Sequence, residues 1–446
     1  MKIDINIPPD AEFIIETLKA SNHKAYIVGG CVRDSIMGRV PADWDITTSA
    51  TPCEIKELFT KTIDTGIKHG TITVVINGSC FEVTTFRQDG EYADNRHPSA
   101  VNYTKSIVED LSRRDFTINA IAYNKEEGLL DPFSGAVDIQ SKTIRTVGQP
   151  DKRFNEDALR MLRAVRFSAQ LCFEAERSTL ESILSNAALI KNISAERIRD
   201  ELTKILLSDN PDRLWLIKKT NLMGYIMPEF LPCFDTPQNN PYHVYNVAEH
   251  IIKSIQYAEK DKIIRWTMLL HDIGKPYVKT TDKKGIDHFY GHPFKSVALA
   301  GSILRRLRFD TKSIHKILKL VELHDIDIKP DPTSVRKAVN RAGSDLFEIL
   351  LKVYEADKRA QTPDFLEERL KSLKEIRDIY LEIMEKGQCV DLKGLAVTGD
   401  DLVREGFEEG IKIKNALDKL LADVLNNPEL NRKDILLNIA KKYTRR

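Results

Sequence analysis

The sequence predicts an α+β protein in which a small head with a mixed β-sheet precedes a long series of helices. Short β-rich runs are concentrated in about the first 125 residues, whereas a helical period dominates from residue 153 onward. A chain of 446 residues is expected to form about three or four domains. Its composition, 42% hydrophobic and 30% charged, is that of a globular protein able to bury sizeable cores.

Charge, hydropathy and cysteine usage restrict the partners and the location of the protein. The formal net charge is +1, so a polyanionic partner would have to be bound by a local patch. The N-terminus lacks an apolar signal core, and no uninterrupted apolar run approaches the length of a membrane span. The six cysteines include no Cys-x-x-Cys pair, which argues against a zinc cluster or a disulfide framework. We therefore expect a cytoplasmic protein with no membrane segment.

Hydrophobic runs separated by turn signals predict the sheet of the head. Gly29-Gly30 closes the first run, and Asn77-Gly78 is a strong signal for a two-residue hairpin. The predicted elements are a helix over residues 11–21 and strands at Ala25–Val28, Asp45–Thr48, Thr71–Ile76 and Phe81–Phe86.

Asp43 and Asp45 stand two residues apart on a segment predicted to be extended. Alternate side chains of a strand point the same way, so the two carboxylates would repel each other unless a cation lay between them. Such pairs commonly hold Mg²⁺ for phosphate chemistry. Glu82 is in phase with Thr84 on the second hairpin strand and could face the pair, although a solvent-facing strand acid is an equally good interpretation.

A helix is predicted over Arg153–Gln170. On a wheel of 100° per residue, one broad face is apolar and carries Ala158, Leu159, Met161, Leu162 and Val165. Asp157, Arg160 and Arg163 lie together on the other side, and Arg166 falls nearer the apolar border. Residues 152–166 contain five basic and two acidic side chains. This positive face is either a solvated surface with ordinary ion pairs or a binding surface for a polyanion.

Histidines are concentrated behind a proline-rich boundary that contains Pro228, Pro232, Pro237 and Pro241. Seven of the ten histidines fall between residues 243 and 324. Imidazole and carboxylate ligands together suit a divalent transition metal. We expect one metal to be bound by His250, His271, Asp272 and Asp357. His292 and His324 could complete a two-metal site. His243 could replace His250, since seven residues are two helical turns, and His288 competes with His292 in a similar way.

Five motifs lie within about the first 210 residues: Gly-Gly-x-Val-Arg-Asp at 29–34 with Asp-x-Asp at 43–45, Arg-Arg-Asp-Phe-Thr-Ile-Asn-Ala at 113–120, Asp-Pro-Phe-Ser-Gly at 131–135, Glu-Asp-Ala-Leu-Arg-Met-Leu-Arg-Ala-Val-Arg-Phe at 156–167, and Ile-Ser-Ala-Glu-Arg-Ile-Arg-Asp-Glu-Leu at 193–202. In sequence and order, these motifs resemble those of the class II tRNA nucleotidyltransferases, the CCA-adding enzymes. This family is related to bacterial poly(A) polymerases within the polymerase-β-like superfamily. The histidine block separately resembles an HD phosphohydrolase domain, and the glycine-spaced stretch from Thr398 to Leu417 resembles the family's C-terminal region.

The resemblance implies four parts. A polymerase-β-like nucleotidyltransferase head would cover residues 1–146, followed by an all-helical neck over 147–232 with a nucleotide-selecting helix and an RNA-binding surface. An HD-type metal-binding helical body would cover 233–375 and a helical tail 376–446.

The resemblance also assigns the catalytic and nucleotide-binding residues. Asp43 and Asp45 would hold two Mg²⁺ ions, with Glu82 as the third carboxylate. One ion would lower the pKa of the primer 3′-hydroxyl and the other would neutralise the triphosphate. Gly30 and Arg33 would contact the triphosphate, where a backbone without a side chain and a bidentate guanidinium are suited to phosphate.

The remaining implied contacts concern the ribose and the base. Arg114 and Asp115 match positions that handle phosphate and ribose. Asp157 and Arg160 match the positions that choose C or A, and arginine supplies only donors while aspartate supplies only acceptors. Arg163 and Arg166 match further nucleotide-contacting positions.

The implied activity is template-independent addition of CCA to the acceptor end of tRNA from CTP and ATP, with no prediction of the oligomeric state. A poly(A) polymerase is the nearest alternative. That subgroup carries a basic segment after the second carboxylate, whereas the corresponding segment here, Lys61–Val75, is hardly basic, which favours tRNA. A partial CC-adding or A-adding enzyme is a second alternative. CC-adding members have a shortened loop where this chain has the long loop Arg87–Pro98, so full CCA or A addition fits better. An alternative from another class is an HD phosphohydrolase with an RNA-binding head.

Overall fold

The computed structural model describes residues 4–90, 101–242 and 244–443. The chain forms two compact units, Met1–Pro228 and Glu229–Arg446. They separate at Pro228, the first proline of the predicted boundary. The division into four parts stays a prediction, and its boundary at residues 375/376 falls inside a helix, Leu366–Glu385.

A seven-stranded mixed sheet forms the centre of the first unit. Its strands are β1 (Ala25–Val28), β2 (Ile46–Thr48), β3 (Thr62–Gly66), β4 (Thr71–Ile76), β5 (Ser79–Thr85), β8 (Ala122–Asn124) and β9 (Gly128–Leu130), in the order β3-β4-β5-β2-β1-β8-β9. Two-stranded pairs are formed by β6 (Arg87–Asp89) with β7 (Val101–Tyr103), and by β10 (Thr143–Ile144) with β11 (Glu174–Ala175).

Strand β2 joins the two halves of the sheet. It pairs antiparallel with β1, where Ala25 lies opposite Thr48, and parallel with β5, where Ile46 lies opposite Val83. The hairpin of β4 and β5 is confirmed, because Asn77 and Gly78 have φ angles of 49° and 86°, the left-handed conformation of the predicted turn. Strand β1 is buried along its whole length, so both faces of the sheet are covered at its centre.

Helices surround the sheet and complete the first unit. They are α1 (Pro9–Ala20), α2 (Gly30–Ile36), α3 (Pro52–Leu58), α4 (Ile107–Ser112), α5 (Gly135–Gln140), α6 (Pro150–Glu156), α7 (Leu159–Leu171), α8 (Arg177–Asn186), α9 (Ala195–Leu206), α10 (Leu214–Lys219) and α11 (Leu222–Ile226). The helix predicted over residues 11–21 is present as α1, and its buried residues are Ala11, Ile14, Ile15 and Leu18, whereas Phe13 is exposed.

The prediction of one continuous helix over Arg153–Gln170 is wrong. The chain forms α6 and α7 instead, and Asp157 between them has an extended backbone, with φ −141° and ψ 104°. The Asp157 carboxylate accepts a hydrogen bond from the Leu159 amide at 3.0 Å, as a capping side chain does at a helix start. A side-chain contact of Asp157 therefore favours the break.

The second unit is helical apart from one short hairpin of β12 (Thr280–Thr281) and β13 (Asp287–His288). Its helices are α12 (Leu231–Phe234), α13 (Val247–Tyr257), α14 (Lys262–Leu270), α15 (His292–Arg306), α16 (Thr311–Leu323), α17 (Pro332–Ala342), α18 (Ser344–Arg359), α19 (Leu366–Glu385), α20 (Gly399–Arg404), α21 (Ile411–Asn426) and α22 (Lys433–Tyr443).

Two hydrophobic clusters organise these helices. One contains Leu320, Phe347, Leu350 and Ile376, so α19 packs with α16 to α18. The other contains Leu402, Leu420 and Leu436 and belongs to the last three helices. Within the described ranges, no helix is both long and apolar enough to cross a membrane.

Candidate active sites

Three carboxylates meet at one edge of the head sheet. Asp43 and Asp45 immediately precede β2, and the Asp45 carbonyl accepts a hydrogen bond from the Val28 amide at 3.0 Å. Because Ile46 lies opposite Val83 in a parallel pair, one residue back along both strands brings Asp45 opposite Glu82. All three acidic side chains reach solvent. The register therefore brings Glu82 beside the predicted metal-binding pair.

The electrostatics of Asp45 agree with this juxtaposition. Burial by the surrounding protein raises the pKa of Asp45 most, Arg114 opposes that rise, and the charges of Glu82 and Asp43 raise the pKa further. Like charges at short range disfavour ionisation. A divalent cation would relieve this repulsion, so the three residues fit a metal bound through oxygen ligands.

A cavity of 620 Å³ lies over this edge of the sheet. Its lining combines carboxylates with four arginines and comprises Gly29, Gly30, Cys31, Arg33, Asp34, Ala42, Asp43, Asp45, Arg114, Asp115, Asn119, Arg163, Arg166, Phe167, Gln170 and Lys204. The volume is that of a site for a small organic ligand. Guanidinium groups opposite a metal-binding edge suit a ligand that carries several phosphates.

The glycine turn and Arg33 form one wall of the cavity. Gly29 has φ +82°, and a Cβ on it would lie 2.9 Å from Arg114 Nη1, so the close approach requires glycine. Arg33 donates from Nε and Nη2 to both oxygens of Asp34, at 2.9 and 3.0 Å, and from Nη1 to Asn119 Oδ1 at 2.6 Å. These contacts fix the guanidinium before any ligand arrives.

Arg114 and Asp115 differ in how many of their polar atoms have hydrogen-bond partners within the protein. Burial lowers the pKa of Arg114, and its buried Nε has no hydrogen-bond partner among the residues that the structure describes. Burial alone would raise the pKa of Asp115, but Arg163 and Arg160 hold it well below its usual range. Arg163 Nε donates to Asp115 Oδ2 at 2.7 Å. Arg114 thus fits a ligand contact, whereas Asp115 is largely committed to internal partners.

Asp157 and Arg160 do not share an open helix face. Arg197 donates to Asp157 twice, from Nη2 to Oδ2 at 2.7 Å and from Nη1 to Oδ1 at 3.3 Å. Arg160 is 9% exposed and donates to Glu156 Oε2 at 2.6 Å and to the Arg113 carbonyl at 2.9 Å. The shared helix face predicted for Asp157, Arg160 and Arg163 is therefore wrong, because the helix breaks at Asp157 and internal acceptors hold Arg160.

Arginines surround one aromatic ring in the cavity wall. The guanidinium carbons of Arg33, Arg163 and Arg166 lie 5.3, 5.3 and 4.1 Å from the centre of the Phe167 ring. Arg166 pairs with Glu201 at 3.1 Å, and burial together with Arg163 lowers the pKa of Arg166 to about 10. Each of the three arginines also pairs with a carboxylate, Asp34, Asp115 or Glu201, so the ring and these acids together hold the three cations close to one another.

Several residues of this site were not predicted individually. Asn119, Phe167, Arg197 and Glu201 belong to the quoted motifs, so the motifs contained the signal without the roles. Gln170 and Lys204 also line the cavity and lie outside the assigned positions.

A second candidate site lies within the helices of the second unit. Asn246 caps α13 with a reciprocal contact to Glu249, and Asp261 and Asp310 cap α14 and α16. These helix starts place His250 within α13, and His271 and His324 directly after α14 and α16. The six predicted residues His250, His271, Asp272, His292, His324 and Asp357 are all buried and come together.

All four histidines direct the same ring nitrogen into this six-residue cluster. Their Nδ1 atoms face the carbonyl oxygens of Ala360, Met268, Phe289 and Val321 at 3.2, 2.7, 2.9 and 2.7 Å. The Nε2 atoms of His250 and His271 are 3.3 Å apart, and those of His292 and His324 are 3.1 Å apart. A backbone acceptor at Nδ1 leaves Nε2 as a metal ligand.

Asp272 lies between the two histidine pairs. Its Oδ2 is 3.3 Å from Nε2 of both His250 and His271, and its Oδ1 is 3.2 and 3.5 Å from Nε2 of His292 and His324. Among the described residues, neither buried oxygen has a hydrogen-bond partner, although Lys275 Nζ forms an ion pair with Oδ2 at 2.7 Å. The four Nε2 atoms and the two Asp272 oxygens converge, and this set of ligand atoms would suit divalent cations.

The two alternative histidines have different outcomes. His288 lies apart from the cluster and pairs with Asp282 at 3.2 Å, so it does not replace His292. His243 lies outside the described residues.

The sequence and fold were compared with known proteins. Three family models match: the poly A polymerase head domain over residues 25–145, the probable RNA- and SrmB-binding site of polymerase A over 172–234, and tRNA nucleotidyltransferase domain 2 over 294–440. A CCA-adding enzyme from Pediococcus pentosaceus is 32% identical over 434 residues, which is 97% of each chain.

A CCA-adding enzyme from Geobacillus sp. strain WCH70 is 50% identical over 214 residues, 48% of this chain and 53% of the relative. The match thus spans about half the length of that relative. The structure is similar to the Bacillus stearothermophilus CCA-adding enzyme in complex with CTP, at 30% identity and a TM-score of 0.73, covering 98% of both chains. It shares its fold with the Thermotoga maritima CCA-adding enzyme complexed with tRNA, at 19% identity, a TM-score of 0.57 and coverage of 98% and 96%. The predicted fold class is confirmed.

Proposed function

This chain belongs to the family of CCA-adding enzymes, and we propose that it adds CCA to the 3′ end of tRNA from CTP and ATP in the cytoplasm. The observation that carries the proposal is the juxtaposition of Asp43, Asp45 and Glu82 with an arginine-lined cavity. Acids at a metal-binding edge and cations opposite them provide what nucleotidyl transfer requires.

Asp43 and Asp45 would hold Mg²⁺, and Glu82 would complete the carboxylate set. When bound, the ions would acidify the primer 3′-hydroxyl and neutralise the departing pyrophosphate. Arg33 and Arg114 would orient the triphosphate from the opposite wall. The glycine turn would let the phosphate chain approach the backbone at Gly30.

By the resemblance to the family, base choice would fall to Asp157 and Arg160. Arg163, about one turn further along α7, lines the cavity proposed for the phosphates. Both side chains already have internal partners, Arg197 for Asp157 and Glu156 for Arg160. We expect these partners to keep the acceptor and the donor in fixed orientation, so that cytosine and adenine are selected by their hydrogen-bonding edges. Arg163 and Arg166 would contribute positive charge beside the nucleotide.

The test is an addition assay on tRNAs that end in the discriminator base, in C or in CC, with each nucleoside triphosphate. The proposal expects C, C and A to be added in turn, with addition ending after one A. No C addition to the shortest tRNA would contradict it and favour an A-adding enzyme, while a continuing run of A would favour a poly(A) polymerase. Binding of tRNA should weaken steeply with salt, because phosphates supply most of the contacts.

A second candidate function, an HD phosphohydrolase, is favoured by the convergence of four imidazole Nε2 atoms on Asp272. His250, His271, Asp272 and Asp357 would hold one divalent transition metal, and Asp272, His292 and His324 a second. Bound metal would supply an activated water at neutral pH.

The measurement for this second function is the metal content of the purified chain, together with phosphatase activity on cyclic and 2′-phosphates. Asp272→Ala should lose both metal and activity. A wild-type chain that binds no metal and hydrolyses none of these esters would refute the second function.

A further inference from the structure

A cavity of 310 Å³ adjoins the six-residue cluster of the second unit. His324 of the cluster lines it, and the Oδ2 atom of Asp325, another lining residue, is 3.9 Å from His292 Nε2. The cavity therefore adjoins the cluster. The complete lining is His324, Asp325, Ile326, Asp327, Ile328, Tyr354, Lys358, Arg369, Ser372, Leu373 and Ile376. A substrate of the second proposed function would need such a space beside its metals.

Two cations stand on the side of the cavity next to Asp357. Lys358 Nζ is 3.0 Å from Asp357 Oδ2, so this ammonium group lies between a metal ligand and the cavity.

Arg369 is held in a fixed orientation. It donates from Nη1 to Gln361 Oε1 at 2.6 Å, and Gln361 Nε2 donates to Asp357 Oδ2 at 2.8 Å. Its guanidinium carbon lies 5.4 and 5.5 Å from the ring centres of Tyr242 and Phe365. Stacking and the hydrogen-bonded chain to Asp357 thus preorganise an arginine in the cavity wall.

The remaining walls have a different chemistry. Ile328 and Ile376 are buried members of the hydrophobic cluster, and the side chains of Ile326 and Leu373 extend this apolar wall. Asp325 and Asp327 are exposed and supply carboxylate acceptors. An apolar wall with acceptors beside it suits an organic group that carries hydroxyls.

We propose that Lys358 and Arg369 recognise the phosphate of a small phosphomonoester, whose organic group occupies the apolar part of this cavity. The proposal rests on the second proposed function. The lining also carries Asp325 and Asp327, so the phosphate would lie against Lys358 and Arg369 and away from these two carboxylates. Asp325 and Asp327 would accept hydrogen bonds from hydroxyls of the organic group.

The reaction is a hydrolysis with no oxidation or reduction. The oxygen of a water molecule forms a bond to phosphorus while the ester P–O bond breaks. One proton of the water ends on the departing alkoxide and the other stays on the phosphate, so the products are an alcohol and hydrogen phosphate.

The experiment uses the full chain loaded with its metal and compares wild type with Arg369→Gln. The probes are 4-nitrophenyl phosphate as substrate and inorganic phosphate as competitive inhibitor, with metal content measured in parallel. We expect KM and the inhibition constant of phosphate to rise by about tenfold or more at unchanged metal content, since a charged hydrogen bond to phosphate is lost. Lys358→Gln should act in the same direction, and Arg369→Lys should recover part of the loss.

Arg377→Gln is the matched control. Arg377 lies about two turns further along α19 and pairs with Glu348 at 2.7 Å. We expect both constants to stay at wild-type values in this variant.

Two outcomes would overturn the inference without affecting the phosphohydrolase. One is Arg369→Gln with metal retained and both constants unchanged. The other is loss of metal from this variant, which would assign Arg369 to positioning Asp357 through Gln361. A wild-type chain without metal or activity would instead refute the second function itself, so the two failures are distinguishable.

Discussion

The acidic edge of the head and the six-residue cluster of the second unit hold carboxylates in opposite environments. Asp45 reaches solvent, has two other carboxylates nearby, and has a raised pKa. Asp272 is 1% exposed, and although burial alone would raise its pKa, His271 and Lys275 hold it well below the usual range. The head thus gathers negative charge that Arg114 offsets only in part, whereas the second unit contains its own compensating charge.

This difference predicts how each site operates. An open set of oxygen ligands suits a metal that arrives with a nucleotide and leaves with pyrophosphate. A closed set of imidazoles and carboxylates, each fixed by a second contact, suits a metal that stays bound. The two sites should therefore fail independently.

The largest expected effect separates the two sites. Asp45→Ala should lower the rate of nucleotide addition by about a thousandfold, roughly 4 kcal/mol of transition-state stabilisation, because a metal ligand is removed. Asp272→Ala should leave addition close to wild type while it removes metal from the second unit. Initial rates of radiolabelled CTP incorporation and metal analysis check both halves. Loss of addition in Asp272→Ala would show that the sites are coupled.

The next effect decides whether Glu82 belongs to the acidic edge. Glu82→Gln keeps the shape of the side chain but removes its charge, and we expect addition to fall by about a hundredfold. Asp64→Asn on β3 is the control, because Asp64 is an exposed strand acid that pairs with Lys56 at 3.0 Å. If Glu82→Gln adds nucleotides as fast as Asp64→Asn, Glu82 is an ordinary surface acid.

Alanine substitutions of two glycines compare how tightly the two sites are packed. A Cβ on Gly274 would lie 2.6 Å from the Ser296 amide nitrogen and 2.7 Å from the His292 carbonyl, so Gly274→Ala should destabilise the second unit by about 2–3 kcal/mol. Gly29→Ala meets the end of the Arg114 side chain in a left-handed conformation and should cost about 1 kcal/mol. Thermal unfolding measures both changes, and equal shifts in Tm would contradict the ranking.

The smallest expected effect concerns Arg197, which holds Asp157. Arg197→Gln should lower addition by about tenfold and reduce the discrimination between CTP and ATP, because Asp157 loses its fixed orientation. Arg199→Gln on the same helix removes a pair with Asp200 and serves as control. Rates with each triphosphate separate a loss of discrimination from a uniform loss of activity. Unchanged discrimination would remove Arg197 from base choice.

The sequence predicted local elements well where short-range signals decide them. The strand Ala25–Val28 and the turn at Asn77-Gly78 are confirmed, because a buried run and a left-handed turn are local properties. The break at Asp157 was not predicted, because its flanking residues favour helix. The interaction that holds Asp157 comes from Arg197, forty residues away, so no local pattern indicates it.

For the two sites, the sequence predicted which residues belong together more completely than it predicted their arrangement. The structure brings together the six residues proposed as metal ligands, but the choice between His288 and His292 needed the structure, since the two lie one turn apart in sequence. Burial of Arg160 could not be predicted from a wheel, because its acceptors include the Arg113 carbonyl on another element. The position of Glu82 depended on the parallel pairing of β2 and β5, which no local pattern encodes.

That parallel pairing has a further consequence for the chemistry. Adjacent strands in a sheet lie about 4.8 Å apart, and the two ions of a two-metal site lie about 3.5–4 Å apart. The pairing of β2 with β5 therefore sets the backbone spacing between Asp45 and Glu82. Asp43 and Asp45 stand just before β2, so the spacing should tolerate substitutions in loops elsewhere but not changes that shift this segment.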